Sequence, residues 1–148
     1  MADNELYSVL PIYRYCSSEK TMYKHFYTNN WGEIGHGNGD MHYEKIEFLA
    51  MRYQVGSVIP LYRGYNSERN DHFYTTDKNE ITKNGYRDEG ILCYVSLTPF
   101  KDMTSKLYRY YNPKTSDHFY TTDANEIPNG SDYIFEKVCG YVIGQGGK

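Results

Sequence analysis

Short runs of aromatic and β-branched residues alternate along the chain with clusters of Asn, Pro, Ser and Gly. The runs contain either a Tyr-Arg pair or His-Phe-Tyr-Thr, compositions typical of strands, and Asn112-Pro113 between two runs predicts a turn. A helix-capping signature follows each His-Phe-Tyr-Thr run, which predicts one short helical turn in each case. The capping residues are Asn30 with Glu33, Asp77 with Glu80, and Asp123 with Glu126.

The whole pattern occurs three times. His-Phe-Tyr-Thr begins at His25, His72 and His118, with a Tyr-Arg pair before each copy and a Glu-Ile pair after it. The repeats, residues 6–52, 53–99 and 100–148, predict one all-β domain over residues 1–148 with about twelve short strands. We expect a β-trefoil with pseudo-threefold symmetry, in which the first strand lies beside the last and removes the sheet edges. A β-prism or an open solenoid is the alternative.

Composition and charge limit the classes of partner. The 148 residues include 18 Tyr, which favour strands and amphipathic contact surfaces. The net charge of −3 provides no basic field, so no nucleic-acid partner is predicted. The 3 Cys argue against a disulfide scaffold. Without a signal segment or an apolar run of about 18 residues, we expect no membrane insertion. The expected protein is a monomer or homodimer, cytoplasmic or secreted without a signal peptide.

The third unit carries the most complete form of the motif. It reads Tyr108-Arg109-Tyr110-Tyr111-Asn112-Pro113, then Asp117-His118-Phe119-Tyr120-Thr121-Thr122-Asp123, then Glu126. This string resembles a tandem-repeat domain family of unknown function, which is appended to secreted bacterial hydrolases and cell-wall proteins and also occurs as small stand-alone proteins. The resemblance covers residues 10–143. It implies a lectin-like β domain of three repeats and glycan binding, and it supplies no catalytic residues.

Strand alternation divides the repeated side chains between two faces. The three Phe residues of His-Phe-Tyr-Thr are predicted to point into the core. The His and Tyr residues then share the other face with Asp and Asn, a combination that suits a sugar, because aromatic rings contact its C–H face and polar groups bind its hydroxyls. The predicted ligand-binding residues are Asp71, His72, Tyr74, Asn66, Asp117, His118, Tyr120, Asn112, His25 and Tyr27. The alternative is that these His and Tyr residues hold neighbouring strands together.

Unit one departs from the pattern. It has Lys24 at the position where the other units have Asp71 and Asp117, so we expect its ligand site to be lost or changed. Each unit also has one Arg and one Glu at matching positions, which predicts one partly buried ion pair per unit. The pairs are Arg14 with Glu44, Arg63 with Glu89, and Arg109 with Glu136.

The sequence favours binding over catalysis. Three of the 5 His occupy repeat positions, whereas a catalytic site is normally single. His36 and His42 near Asp40 lack a metal-binding spacing, so no metal and no cofactor is predicted. Cys93 and Cys139 lie in apolar runs and are predicted to be buried thiols.

The leading hypothesis is a lectin-like module with up to three weak glycan sites. The alternative is a protein-binding module, such as a protease inhibitor, acting through the loop 35–40 beside Trp31. A purely structural or storage protein is a third interpretation. Equivalent pockets in units two and three would favour the lectin, and dependence on one loop would favour the inhibitor.

Overall fold

A computed structural model describes residues 8–128 and 130–144. It is all-β, with 55% of residues in strands and 10% in helices. The strands are β1 (Val9–Ser17), β2 (His25–Thr28), β3 (Gly37–Asn38), β4 (Met41–Met51), β5 (Ile59–Asn66), β6 (Asp71–Thr75), β7 (Arg87–Val95), β8 (Ser105–Asn112), β9 (Asp117–Thr121) and β10 (Ile134–Gly144). The short helices are α1 (Trp31–Ile34) and α2 (Lys78–Lys83), and a 3₁₀ turn spans Glu19–Thr21.

The strands fall into three consecutive sets, which we call unit one (β1–β4), unit two (β5–β7) and unit three (β8–β10). In each unit the Tyr-Arg strand pairs antiparallel with the His-Phe-Tyr-Thr strand on one side and with the closing strand on the other. Strand β4 links the units by pairing with β7 and with β10. The result is an open sheet in the order β6-β5-β7-β4-β10-β8-β9, to which β1 and β2 are joined through β4.

Two details of the predicted architecture are wrong. The described residues form ten strands and not about twelve, because the closing part of each unit is one bent strand where two were expected. Register shifts such as that between Leu61 and Tyr62 absorb the bend, as β-bulges do. The last strand, β10, pairs with β4 and β8, whereas β1 pairs with β2 and β4. Residues 6–7 of the predicted first strand lie outside the described residues, as does Asn129.

The helical turns form as predicted in units one and two. The side chains of Asn30 and Asp77 cap α1 and α2 by accepting from the backbone N–H of Gly32 and Asn79. In unit three, Asp123 accepts from the backbone N–H of Asn125 in the same way, but the segment stays a turn. Proline disfavours helical backbone in the residue before it, and Pro128 follows directly here.

The loop 35–40 beside Trp31 is part of a hairpin. Gly37 and Asn38 of β3 pair with His42 and Met41. The Trp31 ring lies 5.1 Å from the Tyr13 ring and 5.0 Å from the Tyr43 ring, so it packs on its own unit.

A ring of three tyrosines lies at the centre of the core. Tyr27, Tyr74 and Tyr120 are each 1% exposed. The Tyr74 hydroxyl accepts from the Tyr27 N–H at 2.7 Å and donates to the Tyr27 carbonyl at 2.9 Å. Tyr120 makes the same two bonds to Tyr74, and Tyr27 makes them to Tyr120. Each unit thus satisfies the backbone polar groups of a neighbour inside an apolar core.

Both faces of the His-Phe-Tyr-Thr strands are buried. Phe26, Phe73 and Phe119 are buried, as predicted. The Tyr residues were expected on an outward, ligand-binding face and are instead the centre of the core. The expectation was wrong because strand alternation separates the two faces of a strand but does not show that the neighbouring units cover the outward face.

Candidate functional site

Asp71 and Asp117 pin one unit to another. Asp71 of unit two accepts from the backbone N–H of His118 at 3.0 Å and pairs with its Nδ1 at 2.6 Å. Asp117 of unit three makes the corresponding bonds to His25 of unit one at 2.8 and 2.6 Å. Tyr86 and Tyr133 donate their hydroxyls to the two carboxylates. Both carboxylates are buried, so their contacts are with the protein itself.

Asn66 and Asn112 build the turns of their hairpins. Both residues are buried. The Asn66 Oδ1 accepts from the Arg69 N–H, and the Asn112 Oδ1 accepts from the Lys114 N–H. Of the ten predicted ligand-binding residues, His118 lines the groove between units two and three, and His72 lines the groove between units one and two. For the other eight residues, the hydrogen bonds described here favour the alternative that they hold neighbouring strands and units together.

Lys24 occupies the position that Asp71 and Asp117 occupy in the other units. Its ammonium group donates to the Arg69 carbonyl at 2.7 Å and to the Ser116 carbonyl at 2.9 Å, so it ties unit one to both neighbours. Burial lowers the pKa of Lys24, and the negative charges of Asp71 and Asp117 oppose that shift.

The substitution leaves His72 without an acidic partner from unit one. Burial and the positive charges of Arg63 and Arg87 lower the pKa of His72 to about 3. The pKa of His118 is raised, because the bonds to Asp71 and Glu136 outweigh the burial that lowers it.

The predicted Arg–Glu pairs are confirmed. The Nε–Oε1 distances are 2.7 Å for Arg14–Glu44, 2.8 Å for Arg63–Glu89 and 2.8 Å for Arg109–Glu136. Each Arg also bonds a second Glu from an adjacent unit, which the sequence reasoning missed. The second partners of Arg14, Arg63 and Arg109 are Glu126, Glu33 and Glu80. The sequence predicts a helix-capping role for these glutamates.

The second Glu of each pair is positioned by its own unit. Thr28, Thr75 and Thr121 donate their hydroxyls to Glu33, Glu80 and Glu126. The guanidinium groups lie over phenylalanine rings of the adjacent unit: Arg63 over Phe26 at 5.0 Å and Arg109 over Phe73 at 4.8 Å. An Arg held by at least two carboxylates and lying over an aromatic ring is therefore the repeated feature of the junctions between units, buried at Arg14 and Arg109 and partly buried at Arg63.

Grooves open at two of these junctions. The two–three groove has a volume of about 340 Å³ and is lined by Arg69, Phe73, Glu80, Asn84, Tyr86, Arg109, Tyr111, His118 and Glu136. The matching residues Phe26, Glu33, Arg63, His72 and Glu89 line a one–two groove of about 210 Å³, together with Ile34 and Met41. A further hollow of about 360 Å³ shares Glu33, Arg63 and Glu89 with that groove. Space large enough for a ligand thus lies between units, whereas the sequence analysis placed each ligand site within one unit.

The carboxylates of the two–three groove are ionised and partly accessible. Burial raises the pKa of Glu80, but hydrogen bonds from Thr75 and Arg109 outweigh it and the pKa is lowered. The pKa of Glu136 is lowered in the same way by His118 and Arg109 against the effect of burial. The two side chains are 27% and 31% exposed, so both can accept hydrogen bonds from a ligand.

Comparison with known proteins adds no relative: no family model, no curated protein and no solved structure matches the chain. The repeat-family resemblance therefore stays a prediction. Within residues 8–128 and 130–144, neither helix has the length and apolar character needed to cross a bilayer.

Proposed function

We propose that the protein is a lectin-like glycan-binding module of β-trefoil type, with its main site in the two–three groove and a weaker one in the one–two groove. The observation that carries the proposal is the mixture of groups in the two–three groove. It presents aromatic surface from Tyr111, an exposed amide from Asn84, and two accessible carboxylates. These are the groups that contact the C–H face and the hydroxyls of a sugar.

The charges of the groove favour a neutral ligand with many hydroxyls. Arg69 and Arg109 face Glu80 and Glu136, so the groove has little net field to select an anion or a cation. Because the carboxylates are already held by Arg109, they can accept hydroxyl hydrogen bonds without further reorganisation of the protein.

The two grooves differ in their polar edges. Unit one has Met22 two residues before Lys24, where unit two has Arg69 two residues before Asp71. It also has Gly37 three residues after the Glu-Ile pair, where unit two has Asn84. The one–two groove therefore lacks two polar groups of its neighbour, which supports the weaker affinity proposed for it.

A glycan array on the purified protein tests the proposal, followed by titration of the best ligand into variants. Tyr111→Ala should weaken binding about two- to tenfold, the range that an aromatic contact contributes. Asn84→Ala should weaken it as well, whereas Asn79→Ala, which removes an exposed amide of α2 outside the grooves, should bind as the parent does.

Two outcomes would count against the proposal. Full binding by folded Tyr111→Ala and Asn84→Ala would exclude the two–three groove as the main site. A parent protein that binds no glycan would remove the lectin function and leave protein binding through the hairpin at residues 35–40 as the alternative to test.

A further inference from the structure

One group of metal-ligating side chains lies outside the grooves, where unit one meets unit three. Cys16 of β1 is directly opposite His25 of β2, and Glu44 of β4 lies beside them. Each residue offers one metal-ligating atom, and these three atoms all lie within 4.8 Å of one another. In a tetrahedral zinc site, bond lengths of about 2.0–2.3 Å place ligand atoms roughly 3.3–3.8 Å apart. Only a small closure separates this arrangement from that geometry.

We propose that Cys16, His25 and Glu44 bind a thiophilic divalent cation of the Zn²⁺ class, independently of the glycan-binding function. Thiolate, imidazole and carboxylate are the three protein ligands that Zn²⁺ takes. Cys16 and His25 are half-buried and Glu44 is exposed, so the ion can enter and water can complete its coordination. Binding releases to solvent the thiol proton of Cys16 and any Nε2 proton of His25, because the thiolate and the neutral imidazole are the ligands.

Asp117 gives His25 the support that metal-binding histidines usually have. Its Oδ2 pairs with the His25 Nδ1 at 2.6 Å, which leaves Nε2 as the nitrogen for an ion. Asp117 is itself fixed, because it accepts from the His25 N–H and from the Tyr133 hydroxyl at 2.5 Å. A carboxylate behind the imidazole sets its tautomer and orientation and makes it a better ligand.

Among the residues that the structure describes, the Cys–His–Glu set is complete in unit one alone. The residue opposite His72 is Tyr65 and the residue opposite His118 is Tyr111, and each tyrosine ring stacks on its histidine at 4.5 Å. Unit one therefore has Cys16 where the other units have a tyrosine, and its His25 is supported by Asp117. His72 has no such partner, because Lys24 stands at that position.

The local charge also favours a cation. Arg14 is surrounded by three carboxylates, Glu44, Glu47 and Glu126, at 2.7–2.9 Å. Lys45 is 3.9 Å from Glu47 and is the other cation in that cluster. With the Asp117 carboxylate behind His25, four carboxylates face three cations, because Lys24 offsets part of the Asp117 charge beside Arg14 and Lys45. The excess of carboxylates means that a divalent ion is attracted and not repelled.

Glu44 keeps an oxygen for the ion. Its Oε1 accepts from the Arg14 Nε at 2.7 Å, and a carboxylate has a second oxygen that can coordinate.

Titration of the reduced, metal-free protein with Co²⁺ alone tests the site, because a cobalt–thiolate bond adds a near-ultraviolet charge-transfer band. We expect saturation at one equivalent, bleaching by Zn²⁺, and a higher melting temperature with Zn²⁺. Cys16→Ser should abolish the band, whereas Cys139→Ala, which removes a buried thiol elsewhere, should keep it.

A transplant gives a test that does not depend on loss of binding. Tyr111→Cys places a thiol opposite His118, which has Asp71 behind it and Glu136 at 3.5 Å, so a second equivalent of Co²⁺ should bind. Tyr65→Cys places a thiol opposite His72, which lacks the aspartate, and should bind Co²⁺ at least about tenfold more weakly than Tyr111→Cys.

The absence of a charge-transfer band in the parent, or an unchanged band in Cys16→Ser, would overturn the proposal. Equal affinity in the two transplants would overturn the role given to Asp117. Glycan binding has a separate readout, so neither result bears on it.

Discussion

Restoring the repeat pattern at position 24 should destabilise the protein. Lys24 is 2% exposed, and its ammonium group holds carbonyls of units two and three at 2.7 and 2.9 Å. Lys24→Met keeps the length of the side chain and leaves both carbonyls without a donor, which should lower the free energy of unfolding by about 1–3 kcal/mol.

Lys24→Asp should cost more, although it completes the aspartate set. It adds a third carboxylate beside buried Asp71 and Asp117 and removes the cation that offsets them, a change that costs about 3–5 kcal/mol. A new bond from His72, equivalent to His118–Asp71, should return part of that loss. The expected order of stability is therefore parent, then Lys24→Met, then Lys24→Asp.

Urea denaturation followed by circular dichroism measures the order, and NMR titration measures the His72 pKa. The His72 pKa is about 3 in the parent and should rise in Lys24→Asp, because the new carboxylate favours the protonated ring. A Lys24→Asp variant as stable as the parent would refute the charge argument. An unchanged His72 pKa would refute the inferred bond.

Three further perturbations test buried and partly buried contacts within and between the units. Tyr74→Phe removes a hydroxyl that bonds both backbone groups of Tyr27 and should cost about 1–3 kcal/mol in urea denaturation, whereas Tyr53→Phe, at a ring 48% exposed, should change stability by less than about 0.5 kcal/mol. Glu89→Ala leaves Arg63 with Glu33 alone and should cost about 1–3 kcal/mol, against no measurable change for exposed Glu68→Ala; equal effects would mean that the partly buried ion pair contributes nothing. Because the folded-state pKa of His72 lies below its unfolded value of about 6.5, its contribution to stability is present above that pH and is lost as the pH falls towards 3. His72→Gln should flatten the acid side of the stability curve, and a slope equal to that of the parent would contradict the lowered pKa.

The contacts within each unit could be predicted from the sequence. The Arg–Glu pairs and the buried Phe residues follow from the pairing of neighbouring strands and from alternation along them, which are local consequences of the chain. The capping side chains of Asn30 and Asp77 are equally local.

The contacts between units were decided by tertiary structure alone. A repeat shows that three equivalent residues exist, but it does not show which unit's residue faces which. Asp71 was therefore expected beside its own His72 in a ligand site and is found against His118. For the same reason the Tyr residues were placed outside, although only the meeting of three units gives their hydroxyls buried backbone partners.

The unit-one cluster shows the same limit for a candidate site. Cys16 and His25 are neighbours across one hairpin, a pairing that the sequence implies. Asp117, which orients the imidazole, is 92 positions from His25 in the sequence. The two residues meet only when unit three packs on unit one. Hydrogen bonding and burial depend on which residues are close in space. The order of residues along the chain determines that proximity only within one hairpin or helix.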